Sequence, residues 1–220
     1  MKIASFNINN VRRRLPNLVA WLRASEPDVV CLQELKTAQD AFPAAALEGE
    51  GYGALWRGEK SWNGVAILCK GGTPVLTRDA LPGDASDAQS RYLEAAVNGV
   101  LIACLYLPNG NPAPGPKFDY KLRWLERLTA RGAELVALPE PVVLAGDYNV
   151  IPEGVDVHDP AGWTRTPCSG RRRGRRTAIC SPRGGRTRCV RSTPANRCTR
   201  SGTTCGTAGR ATRACASTTF

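Results

Sequence analysis

A change in composition after residue 163 limits the part of this chain that can fold around a hydrophobic core. All 19 acidic residues lie in residues 1–163, together with 16 of the 30 lysines and arginines. Residues 164–220 contain 14 arginines but no lysine, no acidic residue and no leucine. Such a segment buries too little apolar surface to offset the conformational entropy lost on folding. The sequence therefore predicts a folded body at 1–163 and a tail at 164–220 that does not fold natively and is disordered.

The excess positive charge of the chain belongs to the tail. The formal net charge is +11, but residues 1–163 sum to −3 because 16 basic residues are outnumbered by 19 acidic ones. A tail with 14 arginines is one way to build an electrostatic arm for nucleic acid, so a non-catalytic nucleic-acid binder is one hypothesis. The tail also holds six of the nine cysteines, which a binding arm does not need, and we rank this hypothesis below the enzymatic ones.

Cysteine placement and hydropathy predict the compartment. Cys31, Cys69 and Cys104 fall in apolar, strand-like runs and are interpreted as buried thiols of a reducing compartment. The start, "MKIASFNINN", is interrupted by Asn too early for a signal peptide. No apolar run approaches the ~20 residues that a membrane span needs. We expect a cytoplasmic protein with no membrane association.

The periodicity of the body predicts a layered α/β domain. Apolar strand-like runs alternate with two helical patterns, "RRRLPNLVAWLRA" and "KFDYKLRWLERLTARGAELV". The segment "KSWNG" is interpreted as a packed hairpin that contains Trp62 and Asn63, rather than as a platform for substrate. The predicted strands are "KIASFNI", "PDVVCLQE", "GYGALWR", "GVAILCK", "RYLEAAVN", "VLIACLYLPN" and "PVVLAGDYNV". The apolar side of the second helix is predicted to be Phe118, Leu122, Leu125 and Leu128.

Polar side chains stand at or just past the downstream ends of four predicted strands. Each position taken alone is explained by the preference of Asp and Asn for turns. If the strands lie side by side, however, the groups converge at one rim of a sheet, where α/β proteins bind ligands. Carboxylate and amide oxygens suit a hard cation such as Mg²⁺. The residues are Asn7, Glu34, Tyr106, Asn109, Asp147 and Asn149.

Several ordered blocks of residues 1–163 resemble the exodeoxyribonuclease III family of the endonuclease/exonuclease/phosphatase superfamily. These blocks include "MKIASFNINNVRRRLPNLVAWL", "EPDVVCLQELK", "KSWNGVAIL", "SRYLEAAVNGVLIACLYLPNG", "KFDYKLRWLERL" and "LAGDYNVIPEGVDVHDPAGW". "DVHDP" after "GDYN" indicates this branch rather than the lipid or sugar phosphatases. The resemblance implies a DNase I-like fold, a two-sheet α/β sandwich flanked by helices, here truncated at the end of the body.

The resemblance also implies a reaction: Mg²⁺-dependent hydrolysis of double-stranded DNA by a 3′–5′ exodeoxyribonuclease. Endonuclease action at abasic sites, as in base excision repair, is a further activity that it allows. Asn7 and Glu34 would bind Mg²⁺, with Mn²⁺ as an alternative, and Asp147 and Asn149 are further candidate ligands. As catalytic residues, Tyr106 would contact the scissile phosphate, Asp147 would orient or deprotonate the attacking water, and Asn149 would hydrogen-bond the phosphate oxygens. We expect a monomer.

The tail departs from the family pattern. The family's C-terminal third contains an "R-I-D" strand and a terminal "S-D-H" whose Asp–His pair completes the site, and neither segment occurs here. Back-translating "PRGGRTRCV", "TTCGTAG" and "ACASTTF" and reading each codon from the last base of its predecessor allows family-like segments, one of which contains "R-I-D". We interpret residues 164–220 as out-of-frame translation, and we expect the 220-residue chain to be poorly soluble and inactive. Another phosphoesterase of the superfamily remains the alternative enzymatic hypothesis.

Overall fold

The computed structural model describes residues 1–151 and two short strands at 189–190 and 217–219. No helix among these residues is long and apolar enough to span a bilayer. The helices are α1 (Val11–Ser25), α2 (Ala44–Glu48) and α3 (Pro116–Val136), with a 3₁₀ turn at Gln39–Ala41. The strands are β1 (Ile3–Asn7), β2 (Val29–Gln33), β3 (Tyr52–Arg57), β4 (Val65–Lys70), β5 (Val75–Arg78), β6 (Tyr92–Val97), β7 (Val100–Tyr106), β8 (Val142–Asp147), β9 (Cys189–Val190) and β10 (Ser217–Thr219).

These strands form two mixed sheets. The first has the order β1-β2-β4-β3, and the second has the order β5-β6-β7-β8-β10-β9. Each sheet contains one parallel pair, β1–β2 in the first and β7–β8 in the second. The last pairs of these ladders are Asn7 with Gln33 and Tyr106 with Asp147. The carboxyl ends of two parallel strands therefore stop together in each sheet.

The two sheets pack face to face, and helices cover their outer faces. The core between the sheets includes Cys31 and Ile67 from the first sheet and Leu93 and Cys104 from the second. Side chains pointing the other way form a second core with α1 and a third with α3. The predicted two-sheet sandwich flanked by helices is confirmed. Cys31, Cys69 and Cys104 are buried free thiols, as the apolar runs around them indicated.

The structure differs from the predicted elements of the body in three places. Helix α2 was not predicted, because it has only five residues and a single buried one, Leu47. Strand β5 was not predicted, because it is an edge strand whose four residues are all exposed and which therefore has no alternating burial pattern. The buried side of α3 is rotated from the predicted one. Phe118 and Leu122 are only half-buried, whereas Lys121 and Trp124 are fully buried beside Leu125 and Leu128. The spacing of apolar residues does not predict that a lysine occupies a core position.

Part of the predicted tail is described as strand. Strand β10 pairs antiparallel with β8, matching Thr218 with Leu144, and β9 pairs with β10. The other residues of 164–220, together with 152–163, lie outside the described residues. The boundary at residue 163, the disorder of the tail and its reading frame remain predictions.

A glycine sets how closely β7 and β8 approach at the end of their ladder. Gly146 has a φ of 156°, and a Cβ placed there would lie 1.9 Å from the Leu105 carbonyl oxygen. Leu105 pairs with Gly146, and the next pair is Tyr106 with Asp147. Because the clash would be with main chain, it cannot be relieved by a side-chain rotation. Gly146 therefore fixes the position of Asp147 relative to Tyr106.

We predict that Gly146→Ala lowers the free energy of unfolding by roughly 2–3 kcal/mol, because the new methyl group forces the two strands apart. Gly72→Ala is the matched control, since a Cβ at Gly72 meets nothing within 4 Å. Urea unfolding of both variants, followed by tryptophan fluorescence, measures the difference. Equal midpoints for the two variants would show that the β7–β8 contact is not tight at Gly146.

Candidate functional site

The side chain of Asn7 joins the two sheets at their shared rim. Its Nδ2 donates to Glu34 Oε1 at 3.0 Å and to Asp147 Oδ2 at 3.1 Å. Asn7 ends β1 and Glu34 follows β2 in the first sheet, whereas Asp147 ends β8 in the second. The predicted residues therefore do converge, but across two sheets rather than along the rim of one.

Glu34 is the most heavily contacted carboxylate of the site. Its Oε1 also accepts a hydrogen bond from the Tyr106 hydroxyl at 2.8 Å, and its Oε2 lies 2.8 Å from Lys36 Nζ. Burial by itself would raise the pKa of Glu34. The hydrogen bonds from Asn7, Lys36 and Tyr106, with the charge of Lys36, outweigh burial and hold that pKa below its usual value. Glu34 is therefore an anion at neutral pH.

Tyr106 is held as a protonated hydrogen-bond donor. Burial is the main cause that raises the pKa of Tyr106, and the adjacent Glu34 carboxylate raises it further. The guanidinium of Arg91 lies 4.8 Å from the centre of the Tyr106 ring, and Arg91 Nη1 donates to the Tyr106 carbonyl oxygen at 3.2 Å. Although this cation opposes the shift, the net direction is upward. Tyr106 is thus suited to donate a hydrogen bond near pH 7 and not to act as a base.

The loop after β8 is a turn that is built around Asp147. The Asn149 backbone N–H donates to Asp147 Oδ1 at 2.9 Å, and the Leu107 N–H donates to the Asp147 carbonyl oxygen at 2.9 Å. Asn149 Nδ2 donates to the Leu107 carbonyl oxygen at 2.7 Å. The two explanations of "GDYN", a turn or a reactive group, are therefore compatible, since the turn fixes the side chains of Asp147 and Asn149.

Left-handed backbone conformations cluster around the rim. A positive φ is uncommon outside glycine and costs about 1 kcal/mol or more, and such residues collect at functional sites. Two of them are linked by a hydrogen bond from the Asn10 N–H to the Glu34 carbonyl oxygen at 2.8 Å. Surrounding contacts thus hold the strained segments in place. The non-glycine residues concerned at this rim are Asn9, Asn10, Glu34, Lys36, Trp62 and Asn149.

Asn109 takes a different part from the other strand-end residues. Its side chain is exposed, and its Oδ1 accepts from the Asn111 N–H at 2.9 Å, which stabilises the turn after β7. This is the turn preference that the sequence analysis weighed for every strand end. His158, the single histidine of the sequence, lies outside the described residues.

Three residues of the site were missed or misplaced by sequence reasoning. Lys36 and Arg91 contact Glu34 and Tyr106, yet a lone basic residue carries no pattern that separates it from a solvated one. The packed-hairpin interpretation of "KSWNG" is right for Asn63, which is 4% exposed, and wrong for Trp62, which is 75% exposed. Lys36 Nζ lies 6.0 Å from the centre of the Trp62 ring. The aromatic face therefore stands beside the acidic site.

The donor set fits a hard divalent cation. Glu34 and Asp147 supply carboxylate oxygens that the Asn7 Nδ2 holds together, and the Asn7 carboxamide oxygen, which accepts from the Asn9 N–H at 3.2 Å, is a further candidate ligand. Oxygen ligands of this kind are those that hard cations prefer. Within the described part of the chain, no group of three or more His, Cys, Asp or Glu side chains gathers to hold a metal. The two carboxylates and the amide are thus the candidate ligands that these residues provide.

Comparison with known proteins identifies the family. The model of the Endonuclease/Exonuclease/phosphatase family matches residues 4–213, which is most of the chain. The chain belongs to this family. The matched span extends beyond Trp163, where the resemblance was expected to end.

Individual relatives are exodeoxyribonuclease III-type members of this family. Exodeoxyribonuclease III of Haemophilus influenzae is 34% identical over 175 residues, which cover 76% of this chain and 65% of the relative. The exodeoxyribonuclease of Bacillus subtilis is 29% identical over 164 residues, covering 73% and 63%. The chain thus spans a little less than two thirds of the length of these curated relatives.

Solved structures of this family share the fold. An AP endonuclease from Archaeoglobus fulgidus is 34% identical with a TM-score of 0.76, and the match covers 82% of this chain and 69% of that one. A 3′ phosphatase from Neisseria, bound to a product DNA hairpin, is 36% identical with a TM-score of 0.76, covering 82% and 70%. These similarities confirm the predicted fold class.

We predict that Lys36→Met raises the pKa of Glu34, because it removes a hydrogen bond and a positive charge that both favour the carboxylate. A pH titration of the Glu34 side-chain carboxyl carbon by NMR measures the change. Lys60→Met is the control, since Lys60 is an exposed lysine on the neighbouring loop. An unchanged Glu34 titration in Lys36→Met would contradict the ion pair.

Proposed function

We propose that this fold and site serve the metal-dependent hydrolysis of DNA phosphodiesters, as a 3′–5′ exodeoxyribonuclease on double-stranded DNA. The observation that carries the proposal is the Asn7 amide that donates to the carboxylates of both Glu34 and Asp147. This arrangement gathers two anions, an amide and the Tyr106 hydroxyl at one rim. Together these groups match what phosphoester hydrolysis requires, namely a positioned nucleophile and compensation of developing negative charge.

Mg²⁺, with Mn²⁺ as an alternative, is the cation that we assign to the site. Glu34, Asp147 and Asn7 would hold it, and Asn149 is a further candidate ligand. When bound, the cation would offset negative charge on the phosphate oxygens and would make the phosphorus atom more electrophilic. Lys36, which pairs with Glu34 Oε2, already offsets part of the acidic charge beside these ligands.

Asp147 is assigned to the attacking water. Its carboxylate is oriented by the Asn149 N–H on one oxygen and by Asn7 on the other. Each carboxylate oxygen has a second lone pair, so Asp147 is able to accept a hydrogen bond from water and then its proton. The two contacts fix the direction from which the water is held.

Asn149 and Tyr106 are assigned to the phosphate. One N–H of Asn149 Nδ2 is engaged by the Leu107 carbonyl oxygen, which fixes the plane of the carboxamide and leaves the second N–H to donate to a phosphate oxygen. Tyr106 remains protonated and donates through its hydroxyl group. Donors fixed before the reaction stabilise charge that develops during it at little reorganisation cost.

The choice of DNA rests on relatives rather than on charge. Similar proteins include an AP endonuclease and a 3′ phosphatase bound to a DNA hairpin. The body carries a net charge of −3, so we propose contacts from individual cations such as Lys36 and Arg91 instead of a broad basic surface. Removal of a 3′-terminal phosphate and incision at abasic sites are second activities that these relatives favour. We propose a monomer for this chain.

We predict that Asp147→Asn lowers turnover by about 10²–10⁴-fold, since it removes the group assigned to the proton of the water. The measurement uses the gene with one base inserted or deleted to restore the family reading frame after codon 163, a 3′-labelled DNA duplex, and Mg²⁺ with or without chelator. Asp119→Asn, in the first turn of α3, is the matched control. Full turnover in Asp147→Asn would show that Asp147 does not take the proton of the water. Activity on small phosphoesters but not on DNA would show that DNA is not the substrate.

We predict that the 220-residue chain itself hydrolyses the same duplex no faster than its Asp147→Asn variant. Its residues after Trp163 contain no histidine and no acidic residue, so they offer no Asp–His pair to complete the site. The assay is the duplex assay above, run on purified monomer. Mg²⁺-dependent cleavage by the unmodified chain would show that the described residues suffice for catalysis.

A further inference from the structure

A buried lysine links the two loops that carry the site. Lys121 lies on the core side of α3 and is 0% exposed. Its Nζ donates to the Asn149 carbonyl oxygen at 2.6 Å and to the Asn109 carbonyl oxygen at 3.2 Å. Asn149 belongs to the loop after β8, and Asn109 belongs to the loop after β7. One ammonium group thus contacts the main chain of both loops.

An ammonium group is rarely buried without a specific reason. Removing it from water is unfavourable unless hydrogen bonds and partners compensate. A protein with an apolar residue of similar volume at such a position is often at least as stable. Hydrogen bonds from a charged donor to carbonyl oxygens are, however, shorter and stronger than neutral ones. The geometry at Lys121 is therefore better explained by what it holds than by its contribution to packing.

The place of Lys121 in α3 makes it a rigid support. Trp124, Leu125 and Leu128, the next residues on the same side of the helix, are buried against the second sheet. They fix the helix axis and so fix the base of the lysine side chain. The core thus fixes where the lysine side chain begins, independently of the two loops that its ammonium contacts.

The loops need such a support because the β7–β8 ladder ends at Tyr106 and Asp147. Beyond that pair, the Leu107 N–H bonds to the Asp147 carbonyl oxygen and Asn149 Nδ2 bonds to the Leu107 carbonyl oxygen. Lys121 adds a contact further along each loop. The position of the Asn149 carboxamide therefore depends on both the Leu107 carbonyl and the Lys121 ammonium.

We propose that Lys121 is a positioning residue: by holding the Asn149 and Asn109 carbonyl oxygens, it sets the orientation of the Asn149 carboxamide and the Asp147 turn relative to Tyr106. The two contacts that carry this role are with the main chain of the site. Its catalytic part rests on the proposed function, whereas its part in holding the loops does not.

The test compares Lys121→Met with Lys117→Met in the full 220-residue chain and, in parallel, in the gene product with the restored reading frame. Methionine keeps an unbranched side chain of similar length but removes the charge and the donors, and Lys117 is an exposed lysine of the same helix. Hydrogen exchange of the Asn149 and Leu107 amides is measured by NMR. We expect exchange to be at least about tenfold faster in Lys121→Met with the β7 ladder amides unchanged, because only the loops lose a support. Unchanged exchange at Asn149 and Leu107 would overturn the proposal whether or not the chain has activity.

A second readout tests the catalytic part on the reframed gene product. We expect kcat on the DNA duplex to fall by about 100-fold in Lys121→Met, while KM changes by less than about threefold, since misplacement of a reacting group affects the transition state more than binding. Wild-type kcat with faster loop exchange would overturn the catalytic role. If the gene product with the restored reading frame is inactive even with Lys121 unchanged, the proposed function fails. The exchange result alone then decides whether Lys121 holds the loops.

A third variant covers the case in which Lys121→Met does not fold. Lys121→Arg keeps the charge and the donors, but its larger planar group separates the two carbonyl oxygens. We expect Lys121→Arg to fold, to retain slow exchange at Leu107, and to lose about tenfold in kcat with KM unchanged. Wild-type exchange at Asn149 together with wild-type kcat in this variant would overturn the proposal.

Discussion

The pair of hydrogen bonds from Asn7 to Glu34 and Asp147 is the contact on which the site depends. Glu34 and Asp147 come from different sheets, 113 positions apart in the chain, and each is anchored to its own strand end. The amide sets their separation because both bonds leave the same nitrogen. Any movement of one sheet over the other would lengthen one of the two bonds, so the sandwich and the site are mechanically coupled.

The charges at this rim are balanced by groups from both sheets. Two carboxylates close together disfavour each other's ionised form unless cations or donors compensate. Lys36 and the Tyr106 hydroxyl provide this for Glu34, and the Asn149 N–H provides a donor for Asp147. Burial, together with the nearby Glu34 and Asp147 carboxylates, raises the pKa of Tyr106 and keeps it protonated. Local contacts thus keep Glu34 an anion and Tyr106 a hydrogen-bond donor without a contribution from a bound cation.

Sequence reasoning found the residues that follow a repeated pattern and missed those that do not. Asn7, Glu34, Tyr106 and Asp147 each stand at or just past the end of an apolar strand, and four such endings together are unlike chance turn placement. Lys121 interrupts the apolar side of a helix and is the residue that a periodicity analysis discards. Trp62 was assigned with Asn63 to a packed hairpin, whereas its ring is exposed beside Lys36.

The sequence by itself determined the alternation of strands and helices, the strand ends at which polar groups emerge, and the compositional boundary after residue 163. These are local properties, since period and turn preference are set by neighbouring residues. The tertiary structure decided which ends meet, through the contact of Gly146 with Leu105 and the Asn7 bridge between sheets. It also decided that a lysine of α3 reaches the site, because distances between elements far apart in the chain depend on packing and leave no local signature.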